Sequence, residues 1–390
     1  MIEFNPYAYE VHEDPYPFYT RLRNEAPAYR NAELGFWALS RHADVLAGFR
    51  DWKRFSSAQG VALEKLGFDA SRTMSFLAMD PPRHDRLRAL VSRGFTPRRV
   101  AELEPRIRAL TRSYLAELRG RGACDFIADF AGRLPMDVVS EMLGVAEADR
   151  AELRAWADTV VHREEGVVGV PPAGVAAAAK LLRHFSELVA ERSARPRDDL
   201  TSALVQAEID GDRLDAKEIV GFLFLMIIAG NETTTKLLGN AVYWLWRNPG
   251  ERAKLRADPS LVPAWVEETL RYDNSTQALA RTLSEDVELH GEKLREGERV
   301  FLLVGSANRD ERVFPDPDRF DLGRDTSAML SFGQGIHFCL GASLARLEAR
   351  VALEEFFGRF PAYEIDASRP VRVHSTNVRG FAALPMRLRA

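Results

Sequence analysis

A mainly α fold with small β-sheets is predicted for this 390-residue chain, on three observations. Apolar residues recur at helical spacing from Arg98 to about Arg195, and again over 216–247, 261–272 and 342–358. The β-rich runs are few and short, at 27–39, Val300–Val304 and in the final stretch from Val371. No Pro/Gly/Ser-rich linker splits the chain, so residues 1–390 are read as a single domain.

The elements follow in order. Residues 27–39 read as two strands around the Ala32–Gly35 turn, and Arg41–Trp52 as a helix. Residues 59–78 hold Gly60 and Gly67 and no clear period, which predicts a long loop. Pro81 and Pro82 open a helix over Arg83–Arg93. Glu164–Pro172, with Gly166, Gly169, Pro171 and Pro172, breaks the helical region. The run Ile219–Gly230 is apolar but shorter than the roughly 20 residues that span a bilayer, and Asn231 and Glu232 end it. A buried central helix over 216–247 is expected instead. Residues 310–338 are rich in Pro and Gly and read as a meander, and the last residues as a hairpin.

Hydrophobic residues make up 46% and charged residues 28%, with a net charge of −4, so no basic excess favours nucleic acid. The two cysteines, Cys124 and Cys339, make no disulfide framework and suit a reducing compartment. The acidic N-terminal stretch lacks the basic and apolar segments of a secretion signal. A cytoplasmic protein without membrane attachment is expected. Cys124 is expected to be an inert buried thiol.

The most informative segment carries Phe332, Gly333, Gly335, His337, Cys339 and Gly341. Cys339 ends a glycine-rich loop immediately before a predicted helix, whose free N–H groups and dipole favour a thiolate. Gly341 leaves room for a flat ligand. A thiolate ligand for haem iron fits this pattern. A nucleophilic cysteine with His337 as base is the rival, but that chemistry does not call for the glycines.

With these motifs, the chain resembles the cytochrome P-450 family of haem-thiolate monooxygenases, most closely its soluble bacterial branch, over essentially its whole length. The resemblance implies a long central helix over a haem b and a cysteine-ligand loop beneath it. Cys339 would be the metal ligand. His84, Arg88, Arg281 and His337 would hold the haem propionates, with Phe332, Gly341 and Ala229 against the ring. In Ala229-Gly230-Asn231-Glu232-Thr233 the small residues would open a groove for O2. Thr233 would hydrogen-bond the activated oxygen and Glu232 would relay protons from solvent. Glu268 and Arg271, in an E-x-x-R helix, would form with Arg319 a supporting network behind the cysteine loop. The same spacing at Glu147–Arg150 and Glu292–Arg295 shows how little that motif says alone.

The implied reaction consumes O2, two electrons and two protons and yields a hydroxylated or epoxidised product and water. No flavin or iron–sulfur segment is present, so a ferredoxin fed by a reductase is the expected electron donor. Arg86, Arg98, Arg99 and Arg346 are candidate docking residues for it. The substrate pocket is expected from Leu225, Ile228, Gln277, Ala278 and Val378, with Gln59, Asn274 and Arg379 as further polar anchors. Such walls suit a small, largely apolar organic substrate. The 59–78 loop and Glu164–Pro172 are expected to form a lid. A non-catalytic haem-binding or gas-sensing protein and a peroxide-driven peroxygenase are the alternatives; the Glu232–Thr233 pair argues against both.

Overall fold

The computed structural model describes residues 2–64, 69–165, 167–209 and 211–388. The helices that build the site are α1 (His42–Arg50), α2 (Arg83–Ser92), α3 (Leu134–Leu143), α4 (Glu147–Val161), α5 (Pro172–Ala194), α6 (Ala216–Arg247), α7 (Val262–Tyr272) and α8 (Ala342–Arg359). Asp215 caps α6 through a reciprocal box with Glu218. Nearly every side of this long helix is buried, because α3, α4, α5, α7 and α8 all pack on it. That explains an apolar run with no polar face. Among the described residues no helix is long and apolar enough to cross a membrane.

The main sheet joins β1 (Ala28–Asn31), β2 (Phe36–Leu39), β3 (Phe55–Ser56), β4 (Leu279–Leu283) and β5 (Arg299–Leu302) in the order β1-β2-β5-β4-β3. Only the β2–β5 pair is parallel. The expected loop over 59–78 is irregular at first and helical at its end, with turns over Ser71–Met74 and Ser75–Ala78; Lys65–Phe68 lie outside the described residues. The expected terminal hairpin is half right. Val371–Arg372 pairs with Phe381–Ala383, but Pro385–Arg387 leaves to pair with Ala123–Asp125 and Glu364–Ile365. Cys124 is buried there, and burial pushes its thiol up to about 12.

Two buried carboxylates organise the interior. Asp273, just past α7, accepts hydrogen bonds from Tyr16 (2.8 Å), Trp244 (2.7 Å) and Arg379 (2.7 Å), and Arg372 lies 3.5 Å away. Arg379 also donates to the His12 and Glu13 carbonyls at the other end of the chain.

Glu268 forms a two-pronged pair with Arg271 at 2.7 and 2.8 Å. Arg271 spends its remaining donors on the Asn308, Pro317 and Arg319 carbonyls. Glu268 also accepts from the Asp321 N–H at 3.0 Å. The guanidinium beside it at 3.4 Å belongs to Arg324, not Arg319. Arg319 contributes only its carbonyl; its side chain is 61% exposed and pairs with Asp321. The sequence expectation for Arg319 is thus corrected: the meander turns its side chain outward and brings Arg324 back underneath.

Arg324→Ala should therefore cost about 3 kcal/mol by uncovering a buried charge, and Arg319→Ala less than about 1 kcal/mol. Urea unfolding of both variants checks this order.

Candidate haem-thiolate active site

The meander delivers the cysteine loop to the floor of a cavity under α6. Asn308 fixes its start, accepting from the Leu330 N–H (2.7 Å) and donating to the Ser331 hydroxyl (2.8 Å). The loop closes on itself through the Cys339 N–H, which donates to the Phe332 carbonyl at 2.9 Å. Gly335 takes φ +73°, and a Cβ there would stand 2.7 Å from the Phe49 carbonyl of α1, so only glycine fits. Gly341 is free for the opposite reason: a Cβ there would meet nothing within 4 Å and would project into open space.

The cavity has a volume of about 230 Å³. Its α6 wall is the row Met226, Ala229, Gly230, Thr233, Thr234 and Leu237, and Cys339, Phe332 and Gly341 lie across from it. The Cys339 sulfur is open to the cavity but enclosed by protein. Burial pushes its thiol up, against the Gly341 N–H and the charges of Arg88 and Arg346. The protein alone therefore favours the thiol, and the helix-terminus argument for a thiolate is outweighed by desolvation.

Cationic and imidazole groups gather on one side. Arg88 and Arg281 line the cavity with His337, and the His84 ring lies 4.5 Å from that of His337. Arg88 donates to the Phe338 carbonyl at 2.6 Å and Arg281 to the Ala280 carbonyl at 2.8 Å. Each retains a buried nitrogen without a partner, as do His84 at Nε2 and His337 at both ring nitrogens. Burial first, then Arg281 and its neighbours, hold His337 down to about 2, so its ring is neutral. Burial lowers Arg281 to about 10, still charged. Orphaned buried donors of this kind call for an acidic partner. A flat group carrying two carboxylates beside a thiolate-bound metal satisfies these donors and the open face of Gly341 together, so the residues present fit haem.

Thr233 faces the cavity, and its hydroxyl donates to the Ala229 carbonyl at 2.7 Å. The Ser275 hydroxyl holds the Thr233 carbonyl at 2.6 Å, a tie that no local motif announced. Glu232 is different. It does not line the cavity; it is 1% exposed, 3.3 Å from Lys236, accepts a hydrogen bond from Asn231 at 3.3 Å, and lies beside Asp158 of α4. Burial raises its carboxyl, but Lys236 and Asp158 hold it below its ordinary range; burial and Glu232 push Asp158 up. The pair shares its charge with Glu232 as the ionised member.

The expected pocket residues divide. Leu225 and Asn274 line the cavity, joined by Ser275, Thr276 and Leu279. Ile228, Gln277, Ala278, Val378 and Gln59 do not. Gln277 and Val378 face a separate small cleft near Phe4 and His12, and Arg379 is spent on Asp273. Of the expected docking residues, Arg86 pairs with Asp212 and Glu218, and Arg346 with Glu267. Arg98 and Arg99 remain at the surface. Arg163, just before the 164–172 break, forms a buried 2.8 Å ion pair with Glu64 in the 59–78 loop.

Comparison with known proteins agrees with this geometry. The sequence model of the family described as cytochrome P450 matches residues 175–387. A putative cytochrome P450 123 of Mycobacterium bovis is 57% identical over 389 residues, covering 99% of this chain and 97% of that protein. The structure of cytochrome P450 CYP109Q5 from Chondromyces apiculatus superimposes with a TM-score of 0.90 at 40% identity, covering 99% of this chain and 98% of the other. CYP109E1 from Bacillus megaterium, solved in complex with testosterone, gives 0.91 at 34% identity, covering 98% and 99%. A cysteine loop under a long grooved helix, a cationic wall and these relatives lead to one conclusion: the chain belongs to the cytochrome P450 family of haem b monooxygenases.

Proposed function

We propose that this cytochrome P450 inserts one oxygen atom of O2 into a small, largely apolar organic substrate, by hydroxylation or epoxidation, with a ferredoxin and its reductase as electron donor. The observation that carries the reading is the placement of Cys339 and a cluster of unpartnered cationic and imidazole nitrogens across one cavity from Thr233. We read residues 1–390 as one cytoplasmic catalytic domain. Haem b, when bound, supplies the iron at which dioxygen is activated and its oxygen transferred.

The chain's own residues do the rest. Cys339 would ligate the iron as thiolate, the negative charge left on its sulfur by loss of the proton being compensated by the metal. Arg88, Arg281, His84 and His337 bind the propionates; Arg281, fully desolvated and charged, supplies the strongest of these contacts. Phe332, Gly341 and Ala229 border the ring. The Thr233 hydroxyl, turned away from the Ala229 carbonyl, would give a hydrogen bond to the reacting oxygen, and Ser275 keeps that turn of α6 in place. Glu232 acts one step back, through Asp158 and Lys236, as the link between solvent and the helix groove. Glu268, Arg271 and Arg324 support the cysteine loop.

The substrate side is apolar, with Leu225, Met226, Phe222 and Leu279 as walls and Asn274, Ser275 and Thr276 as the polar groups that orient it. A relative bound to testosterone supports a flat apolar molecule. The Glu64–Arg163 pair fastens the two segments read as a lid. Arg98 and Arg99 are the docking candidates that stand exposed towards an acidic ferredoxin, Arg98 being paired only at the surface with Glu102, four residues on.

The dithionite-reduced protein under carbon monoxide should show a strongly red-shifted Soret band, lost in Cys339→Ser; a band at the histidine-ligated position would overturn the reading. Thr233→Ala should cut product formed per NAD(P)H by about tenfold or more and release peroxide, measured with the reconstituted electron-transfer partners. Arg281→Ala should weaken haem retention by about 2 kcal/mol, read by haem transfer to an acceptor protein. Reversing the charges of Arg98 and Arg99 should flatten the salt dependence of reduction by ferredoxin in stopped flow.

A further inference from the structure

Arg163 stands where remote parts of the chain meet, between the end of α4 and the 164–172 segment. Its guanidinium takes up the last carbonyls of α4, at Val160 and Val161, and pairs with Glu64 at 2.8 Å. Its backbone is held by residues from the two ends of the chain. The Arg163 N–H donates to the His374 carbonyl at 2.8 Å, and the Tyr9 hydroxyl donates to the Arg163 carbonyl at 3.3 Å. The Tyr9 and His374 rings stack, 3.6 Å apart and 13° from parallel. His12, on the same short helix Tyr9–Glu13, lies 5.7 Å from each of those rings.

His12 is buried, and its Nε2 is 2.8 Å from the Pro6 carbonyl. A carbonyl only accepts, so Nε2 carries the proton and Nδ1 of the neutral ring is bare. That Nδ1 has no partner, and neither has the Nδ1 of His374. Arg163 and Arg379 flank His12, and Arg379 is already committed to Asp273 and to the His12 and Glu13 carbonyls. Glu13, His162 and Glu165 face His374, while Glu64 is taken by Arg163. Burial first, then His374, Arg379 and Arg163, hold His12 down to about 4, against the pull of the Pro6 carbonyl. Burial and His162 lower His374, against Glu13 and Glu165.

We propose that Tyr9, His12 and His374 form a proton-released latch on the lid. While the imidazoles are neutral, the cluster holds the Arg163 backbone and Arg163 holds Glu64. A proton taken up at His12 Nδ1 favours the open arrangement, in which water reaches that nitrogen. The inference rests on the reading of these segments as a lid. In the closed arrangement His12 binds this proton only below about pH 4, and in the open one near its ordinary value of 6.5. Opening therefore takes up a proton between those limits. The open fraction rises as pH falls from about 6.5 towards about 4, by at most about tenfold per pH unit. Above that range neither arrangement binds the proton, and the latch does not respond to pH.

Hydrogen exchange of the holoenzyme, read by mass spectrometry and corrected for the intrinsic exchange rate, tests this without turnover. Protection of the peptide that carries Arg163 should be level above about pH 7 and fall about tenfold between about pH 6.5 and about pH 5. Peptides of α6 should keep their protection over the same range. His12→Gln keeps a donor for the Pro6 carbonyl but takes up no charge, and should make the Arg163 peptide level throughout. Glu64→Gln examines the lid itself and should lower protection there at every pH. Unchanged protection in E64Q would overturn the lid reading and the latch with it. A loosened E64Q beside an H12Q that keeps the wild-type pH response would leave the lid standing and overturn the latch. Should H12Q fail to fold, the wild type decides: level protection from about pH 7 to about pH 5 overturns the proposal.

Discussion

The buried carboxylate of Glu268 is the constraint on which the site depends. The segment from Pro315 to Phe338 has almost no regular secondary structure, so its backbone groups cannot satisfy one another in a ladder. Glu268 and Arg271 supply the missing order. Through Arg271 they hold the Asn308, Pro317 and Arg319 carbonyls, and directly the Asp321 N–H and Arg324. Asn308 and Ser331 carry that order on to the cysteine loop. An isolated charge at that depth would be untenable; a fully partnered one makes an irregular segment rigid.

The electrostatics of the cavity follow from burial more than from charge count. The chain is mildly acidic overall, yet one cavity wall gathers Arg88, Arg281 and His337, with His84 packed against His337, and each keeps a buried nitrogen without a partner. The thiol opposite is pushed up, not down, because desolvation outweighs one backbone N–H and two guanidiniums. These are the properties of a site whose charges balance only with an anionic, metal-bearing cofactor in place, and the wall and the sulfur are tuned to each other through it.

Much of this was legible in local spacing. The long helix over 216–247, the break at 164–172 and the glycine-cysteine loop depend on near neighbours, and they stand where the sequence puts them. The choice of Arg324 over Arg319 was not legible, because the path of a meander is set by tertiary contacts. Nor was the desertion of the cavity by Gln277, Ala278 and Val378, which depends on how one extended segment turns beside another. Ile228 is one misplacement on α6: the cavity row runs through Leu225, Met226, Ala229 and Gly230, and Ile228 falls on the flank of that row.

The partners of Asp273 come from widely separated parts of the chain. Tyr16 belongs to the beginning, Trp244 to α6, and Arg372 and Arg379 to the last strands. During synthesis on the ribosome the carboxylate and the N-terminal carbonyls of His12 and Glu13 emerge long before the two arginines that complete them. Until the final segment is released, Asp273 lacks the two guanidiniums that do most to hold its charge. Closure of the interior around Asp273 therefore waits on Arg372 and Arg379, and Arg379 ties this late segment to the His12 and Glu13 carbonyls.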